Sequence, residues 1–172
     1  MTHTFRTLAL GLSTAAMMAL AGPVQALSCL MPDPVATFLQ AAESSDSSAV
    51  LYGDFDFDPS GMPSFDGRTE PENVPPIPAR FDGAALTSGG FTLPYETELW
   101  LQPTCAGPWC GGMHPADNVL AFVRDRGDGT YELELGACPF WAYFDPSREV
   151  LSQMTACMNG AASCVPEDRI GR

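Results

Sequence analysis

NVLAFVRDRGDGTYELELGAC, residues 118–138, decides the architecture of this chain. Two runs of alternating apolar and polar residues, 118–126 and 130–137, flank Gly127-Asp128-Gly129. Alternation with period two marks a strand with one buried face, and a link of two Gly around an Asp tolerates the positive φ of a tight reversal. The stretch predicts a β-hairpin that leads directly into Cys138.

Working outward toward the N-terminus, three more strands follow the same rule. YETELWLQ (95–102) puts Tyr95, Thr97, Leu99 and Leu101 on one face. ARFDGAALTS (79–88) alternates and carries Gly83, which fits a bulge or tight bend. AVLYGDFDFDP (49–59) ends by alternating Phe with Asp. Between Pro59 and Pro78 the chain is dense in Pro and Gly, which predicts a long disordered loop. Before the strands, Val35, Phe38, Leu39 and Ala42 recur at helical spacing, so a helix is expected over 34–43, with Asp33 as N-cap and Pro34 at its first position. After Cys138, PFWAYF (139–144) reads as an apolar run buried between the strands and a last helix. Asp145 or Ser147 caps that helix, REVLSQMTACM (148–158), which stops at Asn159-Gly160. The strands are spaced too closely for parallel crossovers. The expected fold is mainly β: a five-stranded OB-like barrel closed by short hairpins with an N-terminal and a C-terminal helix, a sandwich being the alternative.

Residues 1–26 read as a signal peptide: Arg6 precedes the uncharged run Leu8 to Gly22, and Val24 and Ala26 offer the small residues of a cleavage site. The run is shorter than the roughly 20 residues that span a bilayer, and no second run comes closer. Residues 27–172 are then one exported domain, periplasmic or secreted, with no transmembrane segment. Cleavage after Ser28 instead would make Cys29 the first residue; attachment of lipid to Cys29 is a further alternative, although Leu27 is a poor fit to a lipobox.

In an oxidising compartment the six Cys at 29, 105, 110, 138, 157 and 164 read as three disulfides, whose connectivity their order alone does not determine. Cys105 with Cys110 and Cys157 with Cys164 would close small loops, leaving Cys29 with Cys138. Zinc is the competing use, but CAGPWC lacks a second Cys/His pair. No metal and no cofactor are expected.

The formal net charge is −13, and every basic residue is Arg. Such a surface repels phosphate backbones, which excludes nucleic-acid binding, and the absence of Lys excludes Schiff-base chemistry. His114 is the one His beyond the leader, placed in the turn-rich WCGGMHPADN (109–118). No free thiol is left for a Cys–His dyad, and LTSGG (86–90) lacks the first Gly of a nucleophile elbow. Asp54, Asp56 and Asp58 alternate like the first ligands of an EF-hand loop, but Pro59 stands where Gly is needed and Phe65 where Glu is needed. With Phe55 and Phe57 between them they read as the wet face of a strand, as do Glu96/Glu98 and Glu132/Glu134. No catalytic residue is assigned. The segment with most promise is CAGPWCGGMH (105–114), a disulfide-constrained loop expected to expose Trp109, Met113 and His114 as partner-binding contacts.

Three segments together, SCLMPDPVATFLQAA...AVLYGDF, ETELWLQPTCAGPWCGG and NVLAFVRDRGDGTYELELGAC, resemble the netrin-module family, which includes the tissue inhibitors of metalloproteinases and small bacterial relatives. The resemblance rests on element order and Cys placement over residues 29–160. It implies an OB-type barrel and a hairpin Cys, here Cys138, able to pair with the N-terminal Cys29. The inhibitors' paired Cys-x-Cys start is reduced here to Cys29-Leu30-Met31, and their second tie within the barrel is replaced by the local pairs. The expected function is a non-enzymatic module that binds an envelope or periplasmic protein; the alternative is a hydrolase or a cation-binding accessory protein resting on the acidic strands and His114.

Overall fold

The Gly127-Asp128-Gly129 turn closes as its composition demands. Both Gly take positive φ, +77° and +85°. The Arg126 N–H donates to the Thr130 carbonyl (3.0 Å), and the Asp128 carboxylate accepts from the Thr130 N–H (3.0 Å). The computed structural model describes Cys29, residues 32–64 and residues 74–167. The signal peptide assigned to 1–26 and the middle of the 59–78 loop lie outside the described residues.

The elements run α1 (Pro34–Glu43), β1 (Ser48–Phe57), a short 3-10 turn (Pro59–Gly61), β2 (Ile77–Thr87), β3 (Gly90–Pro103), β4 (Cys105–Ala106), β5 (Trp109–Cys110), β6 (Ala116–Asp125), β7 (Tyr131–Leu135), β8 (Ala142–Phe144) and α2 (Arg148–Met158). Asp33 caps α1 by accepting from the N–H groups of Val35 and Ala36, and Ser147 rather than Asp145 caps α2. The buried face of α1 is Val35, Thr37 and Ala41; Ala42, expected inward, is exposed.

The chain is mainly β, and its principal sheet bonds into a ring. β1, β2, β3, β7 and β6 are neighbours in that order, and β6 pairs back to β1. Two features depart from the expectation. First, β3 and β7 run parallel, Leu99 opposite Tyr131 through Pro103 opposite Leu135. The chain leaves the ring after β3, makes the small β4–β5 hairpin and returns as β6, so the parallel pair needs no helical crossover. Second, β8 is a sixth strand, paired with β6 from Val119 opposite Phe144 to Ala121 opposite Ala142. PFWAYF is therefore only partly interior: Ala142 is buried, Trp141 and Tyr143 are half-buried, and Phe140 and Phe144 are exposed.

Alternation fills the ring from every strand. Leu51 and Phe55, Phe81, Leu99 and Leu101, Val119 and Val123, and Leu133 form one buried cluster. Each such side chain contributes roughly 1.5–3 kcal/mol by leaving water. On the outer face, Val50, Leu86, Leu120 and Phe122 pack under the helices with Val35, Met154 and Cys157. Gly53 and Gly83 stand opposite each other on β1 and β2. A Cβ on Gly53 would lie 2.3 Å from the Asp82 carbonyl oxygen, and one on Gly83 would lie 2.4 Å from that of Tyr52. The two backbones touch where β1 bulges against β6, between Gly53 and Phe55, and any side chain there would part them.

Three disulfides tie the frame: Cys29–Cys138, Cys105–Cys110 and Cys157–Cys164. No helix among the described residues is long and apolar enough to cross a membrane.

Candidate functional site

Residues 104–114 form a tied hairpin clamped to the C-terminal end of β7. Cys105 stands opposite Cys110 and Ala106 opposite Trp109, so the disulfide links the two short strands directly. Gly107 turns the chain at φ +60°, and the Trp109 ring lies 4.0 Å from where a Cβ on Gly107 would be. The indole is thus half-buried and folded over its own turn.

Below the hairpin, the Thr104 N–H donates to the Leu135 carbonyl (2.9 Å) and the Gly111 N–H to the Thr104 carbonyl (2.9 Å). Gly111 is buried with its Cα pressed on β7: a Cβ there would sit 2.0 Å from the Leu135 oxygen and 2.3 Å from that of Gly136. Only Gly permits this approach. Three residues past Leu135, Cys138 holds Cys29. The Phe140 carbonyl then accepts from the Thr37 hydroxyl (2.9 Å), which also hydrogen-bonds the Tyr143 hydroxyl (2.7 Å). Burial pushes the Tyr143 phenol above its ordinary pKa, against the opposing pull of the Thr37 hydrogen bond. Hairpin, Cys29–Cys138 disulfide and the start of α1 are thereby fastened to one end of the ring.

The three residues expected to face a partner part company here. Trp109 stays at the rim and His114 is exposed. Met113 is 6 % exposed and belongs to the interior cluster with Met62 packed against it, so it anchors the segment instead of presenting it. Loop composition places Met113 at the surface; in the structure it follows Gly111, which is buried against β7, and lies in the interior cluster. Beside the hairpin lies a small cleft of about 20 Å³ lined by Gly112, Gly136, Pro139, Trp141 and Phe144. Its exposed Phe144 ring is not legible in the sequence, because an unbroken apolar run such as PFWAYF carries no periodicity to separate inside from outside.

The carboxylates of the Phe/Asp run do not converge. Asp54 accepts from the Asn118 N–H (3.0 Å), Asp56 stands opposite Arg80, and Asp58 caps the 3-10 turn by accepting from the Ser60 N–H (2.9 Å). Those bonds from Ser60 lower the Asp58 pKa from its ordinary value. Among the described residues no group of three or more His, Cys, Asp or Glu is arranged to hold a metal ion. On β6 and β7, Arg124 bonds Glu132 and also approaches Asp46; the Glu132 hydrogen bond raises the guanidinium pKa. The chain matches no protein-family model, no curated protein and no solved structure.

Proposed function

We propose that this chain is an exported, non-enzymatic binding module with an OB-like barrel of the netrin-module type, which holds a partner protein of the cell envelope at the clamped hairpin. The strand ring supports the barrel reading: its order is that of an OB barrel once the small β4–β5 hairpin is set aside. The Cys29–Cys138 pair supports the family resemblance, because it joins the N-terminal segment to the end of the diagnostic hairpin. Three disulfides support export of residues 27–172 after removal of 1–26. With the Cys29 sulfur in a disulfide, a lipid thioether at that residue is disfavoured.

The observation that carries the binding reading is the bracing of residues 104–111 by a disulfide and by backbone contacts with β7. A two-stranded hairpin needs support to persist in water; this one has a cross-strand disulfide and a backbone clamp at Gly111. Ordering entropy for Trp109 is spent on folding, so a partner does not supply it again. A photo-reactive residue placed at position 109 in the exported protein should give one discrete adduct, and the same residue at Asp128, at the far end of β7, should give none. Equal labelling from both positions, or none from 109, would refute the assignment. Intact mass tests the export reading separately: a processed chain should begin at Leu27, and an unprocessed one would refute it.

A further inference from the structure

A different surface points to a ligand of definite charge. The helices cover the outer face around Leu86, Leu120 and Phe122; the C-terminal half of β1, the N-terminal part of β2 and the β3 residues opposite it carry exposed outer side chains. There the register aligns Asp54 with Asp82 and Asp82 with Glu96, one row of three acids across three strands. The next row is Asp56, Arg80 and Glu98. All six side chains are exposed. Beyond them Trp100, half-buried, stands opposite Pro78, and a groove of about 330 Å³ runs between Asp56, Pro78, Arg80, Glu98, Trp100 and Thr130.

Like charges directly opposite across strands destabilise a sheet. Among the described residues, the one cation on this face is Arg80, which pairs with Glu96 at 3.3 Å in an exposed, weakly stabilising geometry. Five acids against one Arg leave a negative field over an apolar groove, in a chain whose overall charge of −13 reinforces it. We propose that this groove docks an extended, arginine-rich segment of a partner protein. Charge complementarity selects the cation, and spacing selects the conformation. Rows two residues apart on a strand are about 6.6–6.8 Å apart, as are alternate side chains of an extended peptide. Trp100 favours Arg over Lys, since a guanidinium stacks on an indole face while pairing with a carboxylate such as Glu98. The ring leaves no free edge on β2, so the segment lies on the face and does not add a strand.

The test is fluorescence anisotropy of a labelled peptide alternating Arg with Ser, titrated with the oxidised protein. Binding should weaken steeply with salt, and D56N/E98Q should lower affinity tenfold or more. E43Q/E149Q, which removes the same charge from the two helices, should change it less than threefold. The Arg peptide should bind more tightly than its Lys analogue. Equal losses in the two double variants would reduce the effect to net charge and overturn the proposal. So would equal affinity for the two peptides, no binding at low salt, or a neutral oligosaccharide binding in the groove in place of the peptide. The substituted side chains are exposed, and thermal melting of each variant confirms its fold independently of binding.

Discussion

Replacing Cys29 and Cys138 by Ser should cost this fold more than removal of either other disulfide. The pair spans 109 residues, against 5 for Cys105–Cys110 and 7 for Cys157–Cys164. In the chain-entropy model, restricting the unfolded chain contributes about 4.8 kcal/mol for the long tie, and about 2.1 and 2.4 kcal/mol for the short ones. Against a total stability of roughly 5–15 kcal/mol for a domain of this size, loss of the long tie removes a large share. The measurement is urea unfolding of the three double-Ser variants beside the parent, with the other disulfides oxidised. The C29S/C138S variant should also show a steeper dependence on urea, because its unfolded chain exposes more surface. A cost no greater than that of C105S/C110S would refute the reasoning, since it would mean that the N-terminal segment is held by its contacts and not by its covalent tie.

Gly83→Ala should destabilise by about 3 kcal/mol or more, because its Cβ meets the Tyr52 oxygen at 2.4 Å and the obstacle is backbone; Gly127→Ala, with open space but φ +77°, should cost about 1 kcal/mol in the same melts. Thr37→Val should cost about 2 kcal/mol by removing a hydroxyl that bonds both the Phe140 carbonyl and Tyr143, and unfolding of the variant measures it. For Tyr143, burial raises the phenol pKa in the folded state above its ordinary value of 10. The neutral form is favoured by folding, so that contribution is complete below pH 10 and is lost as pH climbs through the raised value. Tyr143→Phe should flatten the alkaline decline in stability, and an unchanged decline would place its cause elsewhere.

Local chemistry made much of this fold legible. Asp33-Pro34 marks its helix because a cap is satisfied within one turn, Ser147 was one of two caps the sequence offered for the last helix, and the Gly127-Asp128-Gly129 turn needs no distant partner to choose its shape. The parallel contact of β3 with β7 was not legible, since nothing in either strand records its neighbour's direction. β8 was hidden for a related reason: PFWAYF is apolar throughout, so Ala142 inside and Phe144 outside look alike in sequence. At the hairpin the disulfide spacing pointed to Cys105–Cys110, but the burial of Met113 in the interior cluster is a tertiary fact that the loop sequence does not record. The acidic rows were visible as alternating Asp and Glu; that they align across three strands is a matter of register.

The nesting of Cys105–Cys110 inside the span of Cys29–Cys138 has a consequence for how the reduced chain finds its pairs. For Cys29, closing a loop to Cys105 or to Cys138 differs by only about 0.3 kcal/mol, so polymer statistics barely separate the correct partner from the wrong one. Cys105 meets Cys110 at a far smaller entropic cost, lower by about 2.4 kcal/mol than its meeting with Cys29. Once that short ring forms, both competing thiols are withdrawn, and of the thiols between Cys29 and the last helix only Cys138 is left. The least stabilising bridge of the three thus acts as an editor: it adds little to the finished fold and takes away two of the wrong partners open to Cys29 and to Cys138.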